Sequence, residues 1–258
     1  MSAPLLTTKL YIPPPRAGIV ARPHLIDILN EGVDGKLTLL SAPAGFGKTT
    51  LVSDWVRQSD VPTCWITLDE SDNDIGRFLA YFIASLQSID VNVDEQLLTL
   101  IQSPQQAQIE NVLIPLINQI SSTQKNFAIV LDDYHLIQSN EIHDALTFFL
   151  DHSPPCMHLV ITTRGDPPFP LARLRARGQM TEIRASLLRF SVDEGEILLN
   201  QIQGLKLPAD NIKALVDRAD GWAAALQMIS LALKDRINPS QYIQDLSGSQ
   251  TYIADYLT

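Results

Sequence analysis

Short apolar runs alternate with helix-like patterns over residues 1–188 of the chain. Five of these runs have the length and composition of β-strands, and they cover residues 37–40, 63–68, 127–131, 158–162 and 180–184. Between them, apolar residues recur at intervals of three or four, which predicts helices over about 24–29, 49–57, 75–86, 93–102, 109–120 and 141–150. Strands that alternate with helices in this way predict an α/β fold, with a parallel sheet flanked by helices.

The pattern changes after Leu188, beyond which only helices are predicted. Ser191 and Glu194 form a capping box that opens a helix ending near Gln203. Further helices are predicted over about 210–219, 222–233 and 241–257. We therefore predict two domains, an α/β domain over residues 1–188 that begins with an extended arm, and a small all-helical domain over residues 189–258.

The composition narrows the range of functions. Of the 258 residues, 45% are hydrophobic, which is enough for a full core. The net charge is 19 − 29 = −10, which argues against direct DNA contact because phosphate neutralisation needs a surplus of Lys and Arg. No apolar run is long enough to span a bilayer, the start lacks the regions of a signal peptide, and Cys64 and Cys156 make no disulfide framework. We expect a cytoplasmic protein that does not contact a membrane.

A candidate phosphate-binding loop is the strongest chemical signal in the sequence. Residues 42–49 have the sequence Ala-Pro-Ala-Gly-Phe-Gly-Lys-Thr and stand between a predicted strand and a predicted helix. They match the pattern Gly-x₄-Gly-Lys-Thr/Ser, except that alanine replaces the first glycine. Gly45 and Gly47 let backbone N–H groups converge on phosphate oxygens, Lys48 supplies a positive charge, and the Thr49 hydroxyl is a ligand for Mg²⁺. The alternative is a glycine-rich turn with a chance lysine, which the strand–loop–helix context disfavours.

Charged residues also follow two other predicted strands. Asp132 and Asp133 come after the strand 127–131, and Arg164 comes after the strand 158–162. The carboxyl edge of such a sheet is where α/β folds place ligands. One carboxylate there can support Mg²⁺, a second can orient or deprotonate a water, and an arginine can neutralise a γ-phosphate. The plainer alternatives are a solvated loop or a helix cap for the acids, and a surface position for the arginine.

Together these motifs resemble a known class of nucleotide-binding proteins. The chain is similar to STAND-class P-loop NTPases and, more narrowly, to the amino-terminal ATPase region of MalT-like, large ATP-binding LuxR-type transcription regulators. The resemblance covers nearly the whole chain, and its segments are Thr8-Lys9-Leu10, Val20-Ala21-Arg22, residues 41–50, residues 65–69, residues 72–78, residues 130–135, residues 162–175, Arg189-Phe190 and Gly221-Trp222-Ala223.

The resemblance implies a role for individual residues. Nucleotide would be bound by Val20, Arg22, Ala44, Gly45, Phe46, Gly47, Lys48, Thr49, Thr50 and Gly221. Thr49 and Asp132 would hold Mg²⁺. Asp133 would act on the attacking water, and Arg164 would sense the γ-phosphate. One departure concerns the helical domain, where Ala223 stands in place of the proline of the class's Gly-x-Pro motif and puts that contact with nucleotide in doubt.

The resemblance also implies a slow switch. ADP would hold a closed monomer, ATP with an inducer would allow opening and self-association, and hydrolysis would reset the state. Chains of this family continue with a winged-helix domain, a helical-repeat sensor and a helix-turn-helix. We therefore expect this chain to be a fragment, with residues 252–257 resembling the start of the next domain. Recognition of a small-molecule or protein inducer, and of DNA, would then lie outside it.

The sequence thus predicts a regulatory ATPase module that binds ATP or ADP with Mg²⁺. Two alternatives stay open: an ADP-binding scaffold without turnover, and a P-loop small-molecule kinase, for which no lid rich in Arg or Lys stands out. The basic run Arg173, Arg175 and Arg177 is interpreted as a solvated helix face in preference to a donor to a neighbour's nucleotide. His135 is interpreted as a packing or capping residue, and Trp222 as a core anchor.

Overall fold

A computed structural model of the chain describes residues 5–15, 18–94, 97, 109–123 and 125–234. The predicted helix over 241–257 falls outside the described residues, and so does nearly all of the one predicted over 93–102. Within the described part, no helix is both long and apolar enough to cross a membrane.

The core of the fold is a five-stranded sheet, in which every pair of neighbouring strands is parallel. The strands are β1 (Leu37–Ser41), β2 (Thr63–Thr67), β3 (Phe127–Asp132), β4 (Met157–Thr163) and β5 (Met180–Arg184), in the spatial order β2-β3-β4-β1-β5. All five predicted strands are therefore confirmed. This order sets β3, β4 and β1 side by side, so the loops that follow these three strands meet at one edge of the sheet.

Ten helices occur in the described part of the chain. They are α1 (Pro23–Gly32), α2 (Lys48–Gln58), α3 (Ile75–Gln87), α4 (Glu110–Ser121), α5 (Asn140–His152), α6 (Leu171–Ala176), α7 (Ala185–Leu188), α8 (Val192–Glu196), α9 (Ala209–Arg218) and α10 (Ala223–Lys234). Helix α8 continues as a π-helical segment, Ile197–Ile202, and 3₁₀ turns cover Thr7–Leu10, Glu70–Asn73 and Tyr134–Leu136. Helix α6 contains Arg173 and Arg175 of the basic run that was interpreted as a helix face, whereas α7 was not predicted, because one turn is too short to show an apolar periodicity.

Local signals explain where several helices begin. Pro23 occupies the first turn of α1, where its missing N–H costs nothing. The Asp74 carboxylate caps α3 by accepting from the Arg77 N–H at 2.8 Å. Ser191 and Glu194 form the predicted capping box at the start of α8, with each side chain accepting from the other's N–H at 3.1 and 2.9 Å.

Apolar layers cover both faces of the sheet. Along β3, Ile129 and Leu131 pack into the cluster under α3 and α5, whereas Ala128 and Val130 pack into the opposite cluster with Trp55 of α2. Because successive side chains of a strand point to opposite faces, a strand covered on both sides must be apolar throughout. This is why the continuous apolar run 127–131 identified a central parallel strand.

A third apolar cluster gathers the helices after residue 188. It is formed by residues of the π-helical segment, α9 and α10, and it includes one residue of the arm, Val20. The arm is anchored at its other end by Lys9, which is buried and forms ion pairs with Asp72 and, at 2.8 Å, with Asp69. In the arm, the segment before α1, Lys9 thus contacts the segment after β2 and Val20 contacts the helical cluster.

Candidate functional site

The phosphate loop has the backbone that the glycines predict. Gly45 and Gly47 have φ of +78° and +79°, a region that side chains disfavour. Helix α2 starts directly after the loop, with the Leu51 N–H bonded to the Gly47 carbonyl at 2.8 Å. Ala42, in the place of the pattern's first glycine, has no positive φ, and its N–H donates to the Thr163 carbonyl at 3.2 Å. Alanine is therefore accommodated there, and the departure from the pattern leaves the loop intact.

Lys48 places a buried positive charge at the loop. Its ammonium donates to the carbonyls of Ala42 at 2.7 Å and Pro43 at 3.0 Å. Burial lowers the pKa of Lys48, and the nearby Asp133 carboxylate acts in the opposite direction. An ammonium held in this way is compensated mainly by carbonyl dipoles, so it has charge to offer to a phosphate group.

Thr49 and Asp132 are joined by a hydrogen bond. The Thr49 hydroxyl donates to Asp132 Oδ1 at 2.9 Å, and the Thr162 hydroxyl donates to the same oxygen at 2.5 Å. Burial raises the pKa of Asp132 despite these hydrogen bonds. A cation at this point would reverse that effect, because it stabilises the carboxylate form.

The donor atoms at this point fit Mg²⁺. A hydroxyl and a carboxylate oxygen lie together beside the phosphate loop, and Mg²⁺ prefers oxygen ligands, keeps several waters and takes the rest from phosphates. In the described part of the chain, no cluster of three or more His, Cys, Asp or Glu residues could hold a metal ion. The hydroxyl of Thr49 and the carboxylate of Asp132 suit a metal whose other ligands come from water and phosphate.

Asp133 and Arg164 lie at the rim of the same site. The Asp133 backbone is left-handed, with φ of 59°, and its N–H donates to the Thr162 hydroxyl at 3.0 Å. The Asp133 carboxylate is partly exposed, whereas Asp132 is buried, and a left-handed backbone at a residue other than glycine is a strain that concentrates at functional sites. Arg164 is exposed and faces the same space from the end of β4.

A cavity of about 580 Å³, a volume typical of small-molecule sites, is lined by Lys48, Thr49, Asp133 and Arg164. Asp132 is not a lining residue, but it accepts a hydrogen bond from Thr49, which is. The cavity walls come from the arm, the phosphate loop with α2, the ends of β3 and β4, and the helices after residue 188. Of the predicted site residues, those that line it are Val20, Arg22, Ala44, Gly45, Phe46, Gly47, Lys48, Thr49, Thr50, Asp133 and Arg164.

The part of the cavity wall formed by the arm and by residues after 188 is mostly apolar and includes two amide side chains. Its other lining residues include Ile19, Phe190, Leu198, Met228, Gln203 and Gln227. The two glutamines are joined by a hydrogen bond of 3.4 Å. Apolar walls with a few polar groups suit a planar heterocycle, so the cavity offers one end for phosphates and another for a base.

Gly221 is not among the residues that line the cavity. A Cβ at this position would lie 2.8 Å from both the Arg189 Cβ and the Phe190 carbonyl oxygen, and the Gly221 carbonyl accepts from the Phe190 N–H at 2.8 Å. Its φ of +65° also requires glycine. The glycine is explained by this backbone contact, and the cavity wall is formed instead by Ala223 and Ala224.

The Arg22 guanidinium points to the helical cluster. It donates to both carboxylate oxygens of Glu194, at 2.7 and 3.1 Å, and to the carbonyls of residues 187, 188 and 189. It also lies 5.1 Å over the Phe190 ring. The guanidinium N–H groups thus bind protein acceptors. Any contact of Arg22 with a nucleotide would therefore be made by its backbone and the apolar part of its side chain.

Sequence reasoning missed Thr162 as a member of the site. The register that pairs Leu131 with Ile161 places Asp132 beside Thr162, and the Thr162 hydroxyl then bonds both acidic residues. A prediction that β3 and β4 are neighbours would have found it. Of the basic run, Arg173 pairs with Asp151 and Arg175 with Glu182 at 2.6 Å, both near the protein surface.

His135 lies close behind Asp133. Its Nδ1 is 3.9 Å from the Asp133 carboxylate, too far for a hydrogen bond, and neither ring nitrogen has a partner in the described structure. Burial lowers the pKa of His135, as do the charges of Arg164 and Lys48. Of the two roles predicted for His135, packing or capping, the ring makes no capping hydrogen bond within the described residues.

Comparison with curated proteins gives relatives of two kinds. Over 258 residues the chain is 33% identical to the serine/threonine-protein kinase PknK of Mycobacterium tuberculosis. The aligned region covers 99% of this chain and 23% of that protein. It is 34% identical over 256 residues to the HTH-type transcriptional regulator MalT of Klebsiella pneumoniae, covering 98% of this chain and 28% of that protein. The chain spans about a quarter of the length of these relatives, and no protein-family model matches it.

Solved structures with the same fold come from P-loop ATPases. A STAND protein with a tetratricopeptide-repeat sensor from Pyrococcus horikoshii matches with a TM-score of 0.61 at 17% identity, over 95% of this chain and 34% of that one. A Walker-type ATPase of Pyrococcus abyssi matches with a TM-score of 0.60 at 15% identity, over 93% of this chain and 73% of that one. The predicted P-loop NTPase fold is confirmed, and so is the resemblance to MalT-like STAND proteins.

Proposed function

We propose that this chain, which has the P-loop NTPase fold and resembles the ATPase region of MalT-like regulators, is a nucleotide-binding switch module with slow Mg²⁺-dependent ATP hydrolysis. The observation that carries the proposal is the hydrogen bond between Thr49 and Asp132 at a phosphate loop that opens into a cavity. It supports the proposal because a hydroxyl and a carboxylate that would hold a nucleotide-bound Mg²⁺ lie beside a loop that would cradle phosphates. We also propose that residues 1–188 form the nucleotide-binding domain and that residues 189–258 form a helical domain.

The phosphates would lie in the loop at residues 44–50, on backbone N–H groups and at the start of α2. Lys48 would exchange its bonds with loop carbonyls for phosphate oxygens. Thr49 and Asp132 would hold Mg²⁺, which neutralises charge on the phosphates. The two acids thus have separate tasks.

Asp133 would act on the attacking water. Its carboxylate is free of hydrogen bonds within the described structure and lines the cavity, so it can accept a proton or orient a water toward the γ-phosphate. Arg164 would neutralise charge that develops on the phosphate. Turnover would be slow, because the helices after residue 188 close the other side of the cavity and limit access to it.

The relatives support a regulatory module. The same quarter-length region is shared by proteins named as a protein kinase and as a transcriptional regulator. The output activities in these two names differ, so the shared region is best explained as a common nucleotide switch. The region is not a protein-kinase catalytic domain: it has a phosphate loop ending in Gly-Lys-Thr and contains no His-Arg-Asp triplet. We propose that the complete protein is a bacterial transcription regulator of the LuxR type, which opens and self-associates with ATP.

The experiment compares wild type with Asp133→Asn. ATP affinity should remain within about twofold, while single-turnover hydrolysis should fall by about a hundredfold or more, as expected for loss of a general base. Glu141→Gln, in the first turn of α5, is a charge-matched control that should leave both unchanged. Equal hydrolysis in wild type and Asp133→Asn would remove Asp133 from this role. Tight ADP binding with no hydrolysis by the wild type would favour the alternative, a scaffold without turnover.

A further inference from the structure

Two hydrogen bonds connect the helical residues directly to the phosphate loop. The Trp222 indole N–H donates to the Ala44 carbonyl at 2.9 Å, and the Ala224 backbone N–H donates to the Gly45 carbonyl at 3.1 Å. The acceptors are consecutive carbonyls of the loop, and the donors stand at the start of α10. We call this contact the clasp.

Packing at the clasp leaves no room for movement of the loop toward α10. The Phe46 and Trp222 rings are stacked, with centroids 6.5 Å apart and planes inclined by 27°. A Cβ at Gly45 would lie 2.6 Å from both the Ala224 Cβ and the Trp222 Nε1. The close approach of α10 therefore adds a second reason for glycine at this position, beside its positive φ.

The backbone of the loop explains why such a contact matters for binding. A planar trans peptide unit joins the carbonyl of one residue to the N–H of the next residue and points the two in opposite directions. A carbonyl that is hydrogen-bonded to the start of α10 therefore directs the N–H of the following residue to the opposite side, where the phosphates would bind. Hydrogen bonds to those carbonyls also polarise the peptide units and strengthen their N–H groups as donors. The clasp thus fixes the two peptide units that include the N–H groups of Gly45 and Phe46.

We infer that Trp222 is a positioning residue for the phosphate loop, so that the affinity of the loop for phosphates depends on the docking of α10. This inference rests on the proposed nucleotide site. Linkage makes the effect reciprocal: a bound phosphate group stabilises the docked position of α10 to the same extent. The clasp is the physical connection through which the nucleotide affects the helical residues and they affect the nucleotide.

The three tryptophans of the chain differ in a way that supports this assignment. Trp55 and Trp65 are fully buried in the core under the sheet, where the N–H of Trp55 donates to Asn30 and the N–H of Trp65 donates to Thr67. Trp222 is half-buried and directs its N–H across to the loop. It is therefore more than the core anchor that the sequence predicted.

The test is Trp222→Phe, which keeps an aromatic ring and removes the N–H. ADP affinity, measured calorimetrically with Mg²⁺, should fall by about three- to tenfold, the loss expected for one hydrogen bond. Affinity for adenosine should not change, because adenosine has no phosphate to contact the loop. Leu231→Ala, at an exposed position on the same helix, is the matched control and should leave both affinities unchanged.

A second variant and a second signal keep the outcome clear. Ala224→Val adds bulk against Gly45 and also lines the cavity, so it should weaken ADP binding by a larger factor than adenosine binding. Addition of ADP should reduce acrylamide quenching of tryptophan emission in the wild type but not in Trp222→Phe. Equal weakening of ADP and adenosine, or no weakening of either, would overturn the inference while the proposed function stands. If the wild type bound no ADP, the proposed function would fail, and the inference with it.

Discussion

Replacing Arg22 by leucine should destabilise the fold, because the arginine joins the arm to the helical cluster. Its guanidinium makes five hydrogen bonds, two of them to Glu194, and both side chains are about nine-tenths buried. Leucine keeps much of the apolar stem but leaves the Glu194 carboxylate without a cation. A buried charge that loses its partner costs about 3–5 kcal/mol.

The structure places Arg22→Leu near the lower end of that range. Glu194 retains one charge-assisted hydrogen bond, from the Ser191 N–H at 2.9 Å, which partly stabilises the remaining carboxylate. We therefore expect a loss of about 3 kcal/mol in the free energy of unfolding, which corresponds to a fall in Tm of about 6–12 °C for a domain of this size.

Urea unfolding without nucleotide measures this loss, and a double variant tests its cause. Adding Glu194→Gln removes the unpaired charge and keeps an oxygen for the Ser191 N–H, so it should recover about half of the lost stability. A loss below about 1 kcal/mol, or no recovery in the double variant, would show that the fold is not stabilised by the pairing of Arg22 with Glu194. Unchanged stability together with weaker ADP binding would return Arg22 to the direct nucleotide contact that the sequence motifs implied.

Three further predictions follow from buried polar groups. Lys9→Met should lower the free energy of unfolding, measured in urea, by about 2–4 kcal/mol, because fully buried Asp72 loses its ion pair with Lys9 and keeps only the one with Arg77. Asp72→Asn in the Lys9→Met background should restore part of the lost stability. Burial lowers the pKa of His158, so the free energy of unfolding should decrease by up to about 1.4 kcal/mol per pH unit as the pH falls below the unfolded-state pKa of about 6.5. In urea titrations between pH 7 and 5, the free energy of unfolding of His158→Gln should depend less on pH than that of the wild type. An equal dependence in the two proteins would contradict this. Thr162→Val removes a hydrogen bond from Asp132, so the Mg²⁺ concentration for half-maximal ATP turnover should rise severalfold, and an unchanged Mg²⁺ dependence would count against the metal site.

The strands and the phosphate loop were predictable because their signals are local. The apolar run of β3 is required by burial on both faces, and Gly45 and Gly47 are required by two positive φ angles. The carboxyl edge of the sheet then places Asp133 and Arg164 at the loop without any knowledge of side-chain contacts. These parts of the site follow from local sequence signals together with the parallel arrangement of the strands.

The contacts between distant segments were not predictable in the same way. Arg22 and Glu194 are 172 positions apart, and Trp222 and Ala44 are 178 positions apart. The periodic patterns of helices and strands relate residues only a few positions apart, so they give no information on either pair. The motifs therefore identified these residues but not their hydrogen-bond partners. Gly221 shows the same limit: the motif marked the glycine, whereas its cause is a backbone contact with Phe190.

Binding of ADP with Mg²⁺ to wild type and to Lys48→Ala is the most direct test of the nucleotide site. The wild type should bind about one ADP per chain, and Lys48→Ala should bind ADP with an affinity lower by about tenfold or more, as expected for loss of a charged hydrogen-bond donor at the phosphates. Unfolding curves for both proteins should show that the variant is folded. Equal ADP affinities of the two proteins, or no binding of ADP or ATP by the wild type, would rule out the proposed nucleotide site at the phosphate loop.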